Sequence, residues 1–399
     1  MKIVIIPSGF KESLSAEEVG LSIERGIEKV ESNHDVTVIP MVDGGEGFVN
    51  TITKLKEGRI INTHVTGPTG QKIDSYFEMF NENGVETAVI EMAAIAGLRH
   101  VPINQRNPLF TTTYGVGETI IEALNHNAKR ILIGCGDSGT SDGGVGMAQA
   151  IGVKFYDDAH LLIDVTCGAE INQIHHMDLS QIDERVKDID INVAVNWTNV
   201  LCGPQGVARV FGPQKGASPM EVELLSDNLE HLADLIFSHT GREVATINGG
   251  GASGGLGAGL VGFLDAKLHP RFDIIMEYIQ VSEAIQHADL VVTAEGCIDY
   301  QTPNGKIPSE VARIAKSFEK PVIAFAGTIG KNAKINYQSG IDAFTSIIPK
   351  PTSLEKSILD APKWLENCAE NAFRHITIGF DLAQQLKAEQ EKKIVEEVS

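Results

Sequence analysis

Basic charge is scarce in this chain. Lysine and arginine number 33 against 53 aspartates and glutamates, a formal net charge of −20 at pH 7. So acidic a surface excludes nucleic acid and anionic membranes as partners, yet leaves local anion sites to a few lysines and backbone amides. Cysteine is also sparse. The five (Cys135, Cys167, Cys202, Cys297, Cys368) are scattered, odd in number and without metal-ligand spacing. They exclude a disulfide framework and a zinc site, and they fit a reducing cytoplasm. No apolar run is long enough to span a bilayer. Met1–Pro7 is too short for a signal peptide and reads as a first strand. No G-x-S-x-G elbow is present, and none of the 12 histidines sits in a catalytic motif, which argues against a nucleophilic triad. His175 and His176 fall in a polar stretch and read as surface residues.

What is abundant is glycine, 40 of 399 residues, set in loops between apolar strands as in α/β enzymes. The richest loop runs from Gly134 to Gly146 and mixes six glycines with two carboxylates and three hydroxyls. It follows the apolar strand Arg130–Ile133 and leads into a helix from about Val145. Glycine lets backbone N–H groups approach an anion, so strand, loop and helix start make a phosphate cradle. Gly134, Gly136 and Gly139 also fit G-x-G-x-x-G. In a dinucleotide fingerprint, however, the helix opens inside the glycine pattern. Here Asp142-Gly143-Gly144 delays it. Nor does a Lys-Ser or Lys-Thr follow, as a P-loop requires.

The fold class reads as α/β. Val4–Ile6, a helix opened by the capping box Ser15-Ala16-Glu17-Glu18, and the strand Val36–Pro40 form a βαβ unit and imply a parallel sheet. Strand–helix alternation returns from about Ile285, with strands at Asp289–Thr293, Pro321–Gly327 and Ala343–Ile348 and a helix from Lys363 to Lys393. The expected layout is a Rossmann-like parallel-sheet domain built from 1–62 and 285–399, with 63–284 as an inserted second α/β domain. Within the insert, Ile60–Val65 and Ser75–Phe80 pair across the turn Gly67-Pro68-Thr69-Gly70. Residues 157–190 read as irregular and peripheral.

Two more glycine-embedded acidic segments follow apolar strands: Asp43-Gly44-Gly45-Glu46-Gly47 and Glu295-Gly296-Cys297-Ile298-Asp299. Open α/β sheets bind ligands at such strand ends. The acids there can hold Mg²⁺ or take a proton from a hydroxyl, or they can simply cap helices. Lys11, Lys215 and Lys306 each lie beside glycine and suit a phosphate or carboxylate as point charges. Arg106 and the Thr111–Gly115 run serve the same purpose. Gly249–Gly257 is a second glycine loop, either a nucleotide cradle or a packing point between domains. Carboxylates, lysines and glycine loops together suggest phosphoryl transfer.

Taken in order, these segments resemble the bacterial glycerate kinase family over about residues 1–380. The resemblance rests on Phe10–Ser15, Asp43–Gly47, Glu91-Met92-Ala93, Arg106–Leu109, Thr112–Gly115, Ser141–Gly144, Phe211–Ala217, Gly254–Gly257 and Gln301–Lys306. It implies ATP- and Mg²⁺-dependent phosphorylation of D-glycerate, usually at the 2-hydroxyl, or of a related small hydroxy acid. Lys11, Asp43, Asp142, Glu295 and Asp299 are then the catalytic candidates, with Asp43, Glu295 and Asp299 on the metal. Gly44, Gly45, Arg106, Thr113, Ser138, Asn196, Lys215, Gly254, Gly255, Gln301 and Lys306 are the candidates for substrate or phosphate. The implied partners are a small hydroxy acid and a nucleotide in the cytoplasm, without nucleic acid or membrane, and a homodimer is among the assemblies left open. Departures fall at Ser8-Gly9, Asp137, Gly139, Ser141, Asn196 and Cys297. They leave a second reading, a catalytically degenerate relative that binds a small acid or nucleotide without turnover. A third, from the G-x-G-x-x-G match alone, is a dehydrogenase.

Overall fold

A computed structural model of the chain describes residues 1–10, 13–31, 33–41, 52, 56–279, 281–303 and 305–398. They form two compact units: Met1–Val42 with Gln280–Ser399, and Asp43–Ile279. The chain therefore leaves the first unit near residue 42, earlier than the 62 expected, because residues 59–66 pair into the second unit's sheet.

The first unit begins with β1 (Lys2–Pro7), whose Ile3–Ile6 run is buried, as a strand covered on both faces requires. The helix Ala16–Glu28 follows. Its capping box forms as the sequence predicts: Ser15 Oγ accepts from the Glu18 N–H at 3.2 Å, and Glu18 Oε2 accepts from the Ser15 N–H at 2.8 Å. The buried stripe Val19, Ile23 and Ile27 faces the sheet core, and β2 (Asp35–Val38) pairs parallel to β1.

The second unit opens with a meander of β3 (Arg59–Thr66), β4 (Lys72–Glu82) and β5 (Val85–Glu91). β6 (Arg130–Gly134) then runs parallel to β5. A small antiparallel sheet holds β7 (Lys154–Tyr156), β8 (Leu162–Ile163) and β9 (His176–Asp178). Finally, β10 (Asp190–Val195) and β11 (Lys267–Pro270) extend the parallel part, giving the order β11-β10-β6-β5-β4-β3. Residues 157–190 are not peripheral. Val165, Ile171, Ile174, Met177, Ile182 and Val186 are buried in the unit's main core, where scattered apolar residues anchor an otherwise polar stretch.

The chain then returns to the first unit with β12 (Leu290–Ile298), β13 (Val322–Ile329) and β14 (Ala343–Ser346). The finished sheet is wholly parallel, in the order β14-β13-β12-β1-β2. The C-terminal helix spans Leu354–Val398, starting before the Lys363 expected because Ser353 caps it, its Oγ accepting from the Lys356 N–H at 3.3 Å. It lies against the first helix at Gly26, where a Cβ would come within 2.4 Å of the Glu366 carbonyl oxygen. No helix among the described residues is long and apolar enough to cross a membrane.

Candidate active site

In the second unit, β5, β6 and β10 end side by side. Glu91 is in register with Gly134, and Gly134 with Ala194. The glycine loop leaves from these carboxyl ends. Asp137 is left-handed (φ +47°), and Gly143 and Gly144 are again left-handed (φ +62° and +82°) just before the helix Val145–Ala150. At Gly143 a side chain would also strike Leu232 at 2.3 Å, so only glycine serves there.

Asp142 sits inside this turn, 1% exposed. Its Oδ2 accepts from the Thr113 N–H (2.8 Å), the Thr113 hydroxyl (2.8 Å) and the Gly146 N–H (3.2 Å), and its Oδ1 accepts from the Gly144 N–H (3.2 Å). The Thr113 hydroxyl in turn accepts from the Met147 N–H at 3.0 Å. One carboxylate thus binds the starts of two helices, Tyr114–Asn125 and Val145–Ala150. Burial raises its pKa against the pull of those donors.

Lys215 is 3% exposed and reaches the same loop. Its Nζ donates to Ser138 Oγ at 2.8 Å and to the Thr140 carbonyl oxygen at 2.6 Å. Burial pushes its pKa down to about 7, partly offset by the charge of Asp142. The hydroxyls of Thr140 and Ser141 are buried and meet no hydrogen-bond partner among the described residues.

Gly254 and Gly255 face this loop from outside. With Ser253 they form three left-handed residues at the start of the helix Ala252–Leu264. A Cβ on Gly254 would fall 1.9 Å from the Thr140 carbonyl oxygen, and one on Gly255 would fall 2.9 Å from the Gly143 Cα. The second glycine segment is therefore packed against the first, inside one unit and not between domains. Backbone of the first loop thus approaches both glycines on the side where a Cβ would stand.

A second cluster lies at the end of β12 in the first unit. Lys306 Nζ stands 3.7 Å from Glu295 Oε1 and 3.8 Å from Asp299 Oδ1. Asp299 Oδ1 also accepts from the Gln301 N–H at 2.8 Å, and the Asp299 N–H donates to Thr302 Oγ1 at 3.0 Å, which fixes the turn. Lys306 immediately precedes the helix Ile307–Ser317, whose N-terminus adds partial positive charge to that of the ammonium group. Cys297 Sγ lies 4.0 Å from Asp299 Oδ2, on the strand between the two acids.

The glycerate kinase family model matches residues 3–377. The chain belongs to the glycerate kinase family. It is similar to the glycerate kinase of Bacillus subtilis (strain 168), 43% identical over 93% of this chain and 96% of the relative. It is 40% identical to the glycerate 2-kinase of Escherichia coli (strain K12), over 95% and 99% of the two chains. Among solved structures it resembles a glycerate kinase 2 from Salmonella typhimurium LT2, with TM-score 0.84 and 39% identity over 96% of this chain and 99% of that one.

Of the residues that the family resemblance singles out, Lys11, Asp43, Gly44 and Gly45 lie outside the described residues. Thr113, Ser138, Asp142 and Lys215 come together around the glycine loop. Arg106 joins them through its carbonyl oxygen, 2.1 Å from where a Cβ on Gly216 would sit, so the glycine after Lys215 is needed for this contact. Glu295, Asp299, Gln301 and Lys306 gather in the first unit. Asn196 stands exposed in a local turn, its Oδ1 accepting from the Thr198 N–H (3.3 Å) and hydroxyl (2.9 Å).

Two buried carboxylates went unread among the candidates of this glycerate kinase family chain. Glu78 and Glu91 are each 1% exposed. Glu78 pairs opposite Val89 and so lies diagonal to Glu91 on one face of the sheet. Burial first, then the Glu91 charge, pushes the Glu78 pKa up to about 7. The folded state thus holds the Glu78 proton more tightly than the unfolded chain does. The associated stability is full below the ordinary pKa of 4.5 and is lost as pH rises through about 7. The neutral variant Glu78→Gln should therefore exceed the parent by ~2 kcal/mol at pH 8 and match it below pH 4.5. Urea unfolding at the two pH values reads this out. A pH-independent difference would show that ionisation of Glu78 is not the cause.

Proposed function

We propose that this chain transfers the γ-phosphoryl group of ATP to D-glycerate, giving ADP and 2-phosphoglycerate. The near-full-length likeness to glycerate kinases, at 40–43% identity over 93–95% of the chain, carries this reading. Phosphoryl transfer is catalysed by positioning and charge neutralisation more than by covalent chemistry, and the two clusters supply groups of that kind. Lys306, with the helix N-terminus behind it, neutralises phosphate oxygens. Glu295 and Asp299 are hard oxygen donors suited to Mg²⁺, which takes one or two carboxylates and completes its shell with phosphate oxygens and water. Among the described residues no group of three or more histidines, cysteines or acids converges. The pair therefore fits a metal that arrives with the nucleotide better than a protein-only cage. When bound, Mg²⁺ would neutralise charge on the phosphates. Arg106 offers a cation to the acceptor's carboxylate. The five cysteines are free thiols and suit the cytoplasm.

The test is ADP release from purified protein with ATP, Mg²⁺ and a panel of small hydroxy acids. Turnover should require D-glycerate or a close analogue, and ³¹P NMR of the product should show phosphate on the 2-hydroxyl. A chain that releases no ADP with any acid, yet is thermally stabilised by one, would be a binding protein instead.

A further inference from the structure

We propose that Lys215 is the proton acceptor for the substrate hydroxyl and works through the hydroxyl of Ser138. This rests on the kinase reading above and adds the base that the reaction uses. A base of this kind must lie within hydrogen-bond reach of the group it deprotonates, about 2.6–3.2 Å, and must be oriented by a third group. Ser138 Oγ and Lys215 Nζ are 2.8 Å apart, and the Thr140 carbonyl oxygen, 2.6 Å from Nζ, fixes the amine. Ser138 is held just as firmly. The residue before it is left-handed at φ +47°, the Asp137 carbonyl oxygen accepts from the Leu98 N–H at 2.9 Å, and the Gly139 N–H donates to the Ala96 carbonyl oxygen at 2.9 Å.

An amine serves as a base only when neutral. Lys215 is 3% exposed, and its pKa of about 7 leaves a large neutral fraction at physiological pH. The charged side chain that acts on it is Asp142, from the loop after β6, which raises its proton affinity. The acids in the described clusters are less available. The Asp142 oxygens already receive four donors, and Glu295 and Asp299 share Lys306. Arg106, whose carbonyl oxygen packs against Gly216, adds a buried Nε that meets no acceptor among the described residues.

In the step itself, the substrate hydroxyl gives its proton to Ser138 Oγ while the Ser138 proton passes to the lone pair of Nζ. The freed oxygen forms a bond to the γ-phosphorus, the bond from phosphorus to the β–γ bridging oxygen breaks, and ADP leaves. Lys215 later returns the proton to water.

The experiment follows ADP release between pH 6 and 9 in the parent, Lys215→Arg, Lys215→Met and Ser138→Ala, with thermal unfolding as a check on folding. The parent kcat should fall on the acid side of about pH 7. Lys215→Arg keeps the charge but cannot lose its proton, so it should lower kcat about 10²-fold and abolish that acid limb, with little change in KM for ATP. Phenylmethylsulfonyl fluoride supplies a readout apart from turnover. It should label Ser138 in the parent, as the Ser138 proton passes to Lys215 and fluoride leaves, and it should fail to label Lys215→Met. An unlabelled Ser138, labelling equal in Lys215→Met, or an acid limb kept by Lys215→Arg would each overturn the proposal. Failure of the kinase reading looks different: the parent itself releases no ADP.

Discussion

Asp142→Asn is expected to unfold about 10 °C below the parent. The substitution keeps shape and volume but turns one acceptor into a donor. Oδ2 now receives two N–H groups and one hydroxyl and Oδ1 a third N–H, and no orientation of an amide can satisfy all four. With the amide nitrogen at that position, three buried donors face a fourth. With the amide flipped, the nitrogen faces the Gly144 N–H, which Oδ1 now accepts at 3.2 Å. A buried donor left without an acceptor costs about 1–3 kcal/mol, so the turn loses ~4 kcal/mol in all. At about 2–4 °C per kcal/mol for a unit of this size, the shift is ~10 °C. Asp142→Ala should lose more, because it orphans all four donors, whereas the amide oxygen of asparagine still serves the three at the Oδ2 position. Calorimetry on the three proteins settles the order. An Asn variant as stable as the parent would show that the carboxylate does not hold the turn.

Lys306→Ala should lower kcat/KM for ATP by about 10³-fold while moving stability by less than ~1 kcal/mol. The two effects separate because the ammonium group is partly exposed, with 31% of its side-chain surface open, and sits 3.7–3.8 Å from its carboxylates, too far for tight hydrogen bonds. It contributes little to the fold. On the proposed reading its removal takes away one cation beside the phosphates and leaves the charges of Glu295 and Asp299 less compensated, so like charge adds to the lost attraction. Lys306→Arg should recover part of the activity, since the charge returns in a different shape. Initial rates of ADP release at saturating glycerate, over a range of ATP, would show the change. Equal kcat/KM in parent and Ala variant would remove Lys306 from the phosphate site.

Much of the architecture was legible because it is written in local signals. The Ser15 capping box, the apolar β1 run and the glycine pair before Val145 each announce their element within a few residues. The sequence also marked acids beside glycine at strand ends, and of these Glu295 and Asp299 gather around Lys306. What it could not show depends on contacts far along the chain. Lys215 and Ser138 are 77 residues apart, and although each is a candidate alone, nothing local pairs them. Glu78 lies in a strand whose alternation suggests an open face, yet Phe80 on that face meets Tyr278 of the helix Arg271–Ile279, with ring centroids 6.2 Å apart. Gly254 and Gly255 carry the composition of a phosphate loop, and only the structure shows how closely the backbone of Thr140 and Gly143 packs on them. Asp142 has the residue type of a catalytic acid; its oxygens serve the loop.

The first sheet has a consequence for how the protein is made. β1 pairs with β12 across 287 residues, Ile3 to Leu290. On a ribosome adding about 5–20 residues per second, β1 waits roughly 15–60 s for that neighbour. All nine strands among the described residues of the second unit emerge in the interval, and the parallel sheet of the first unit can close only after them. Synthesis therefore imposes an order of folding on the units, with the inserted one first, while one edge of an opening strand with three isoleucines stands unpaired beside the growing chain.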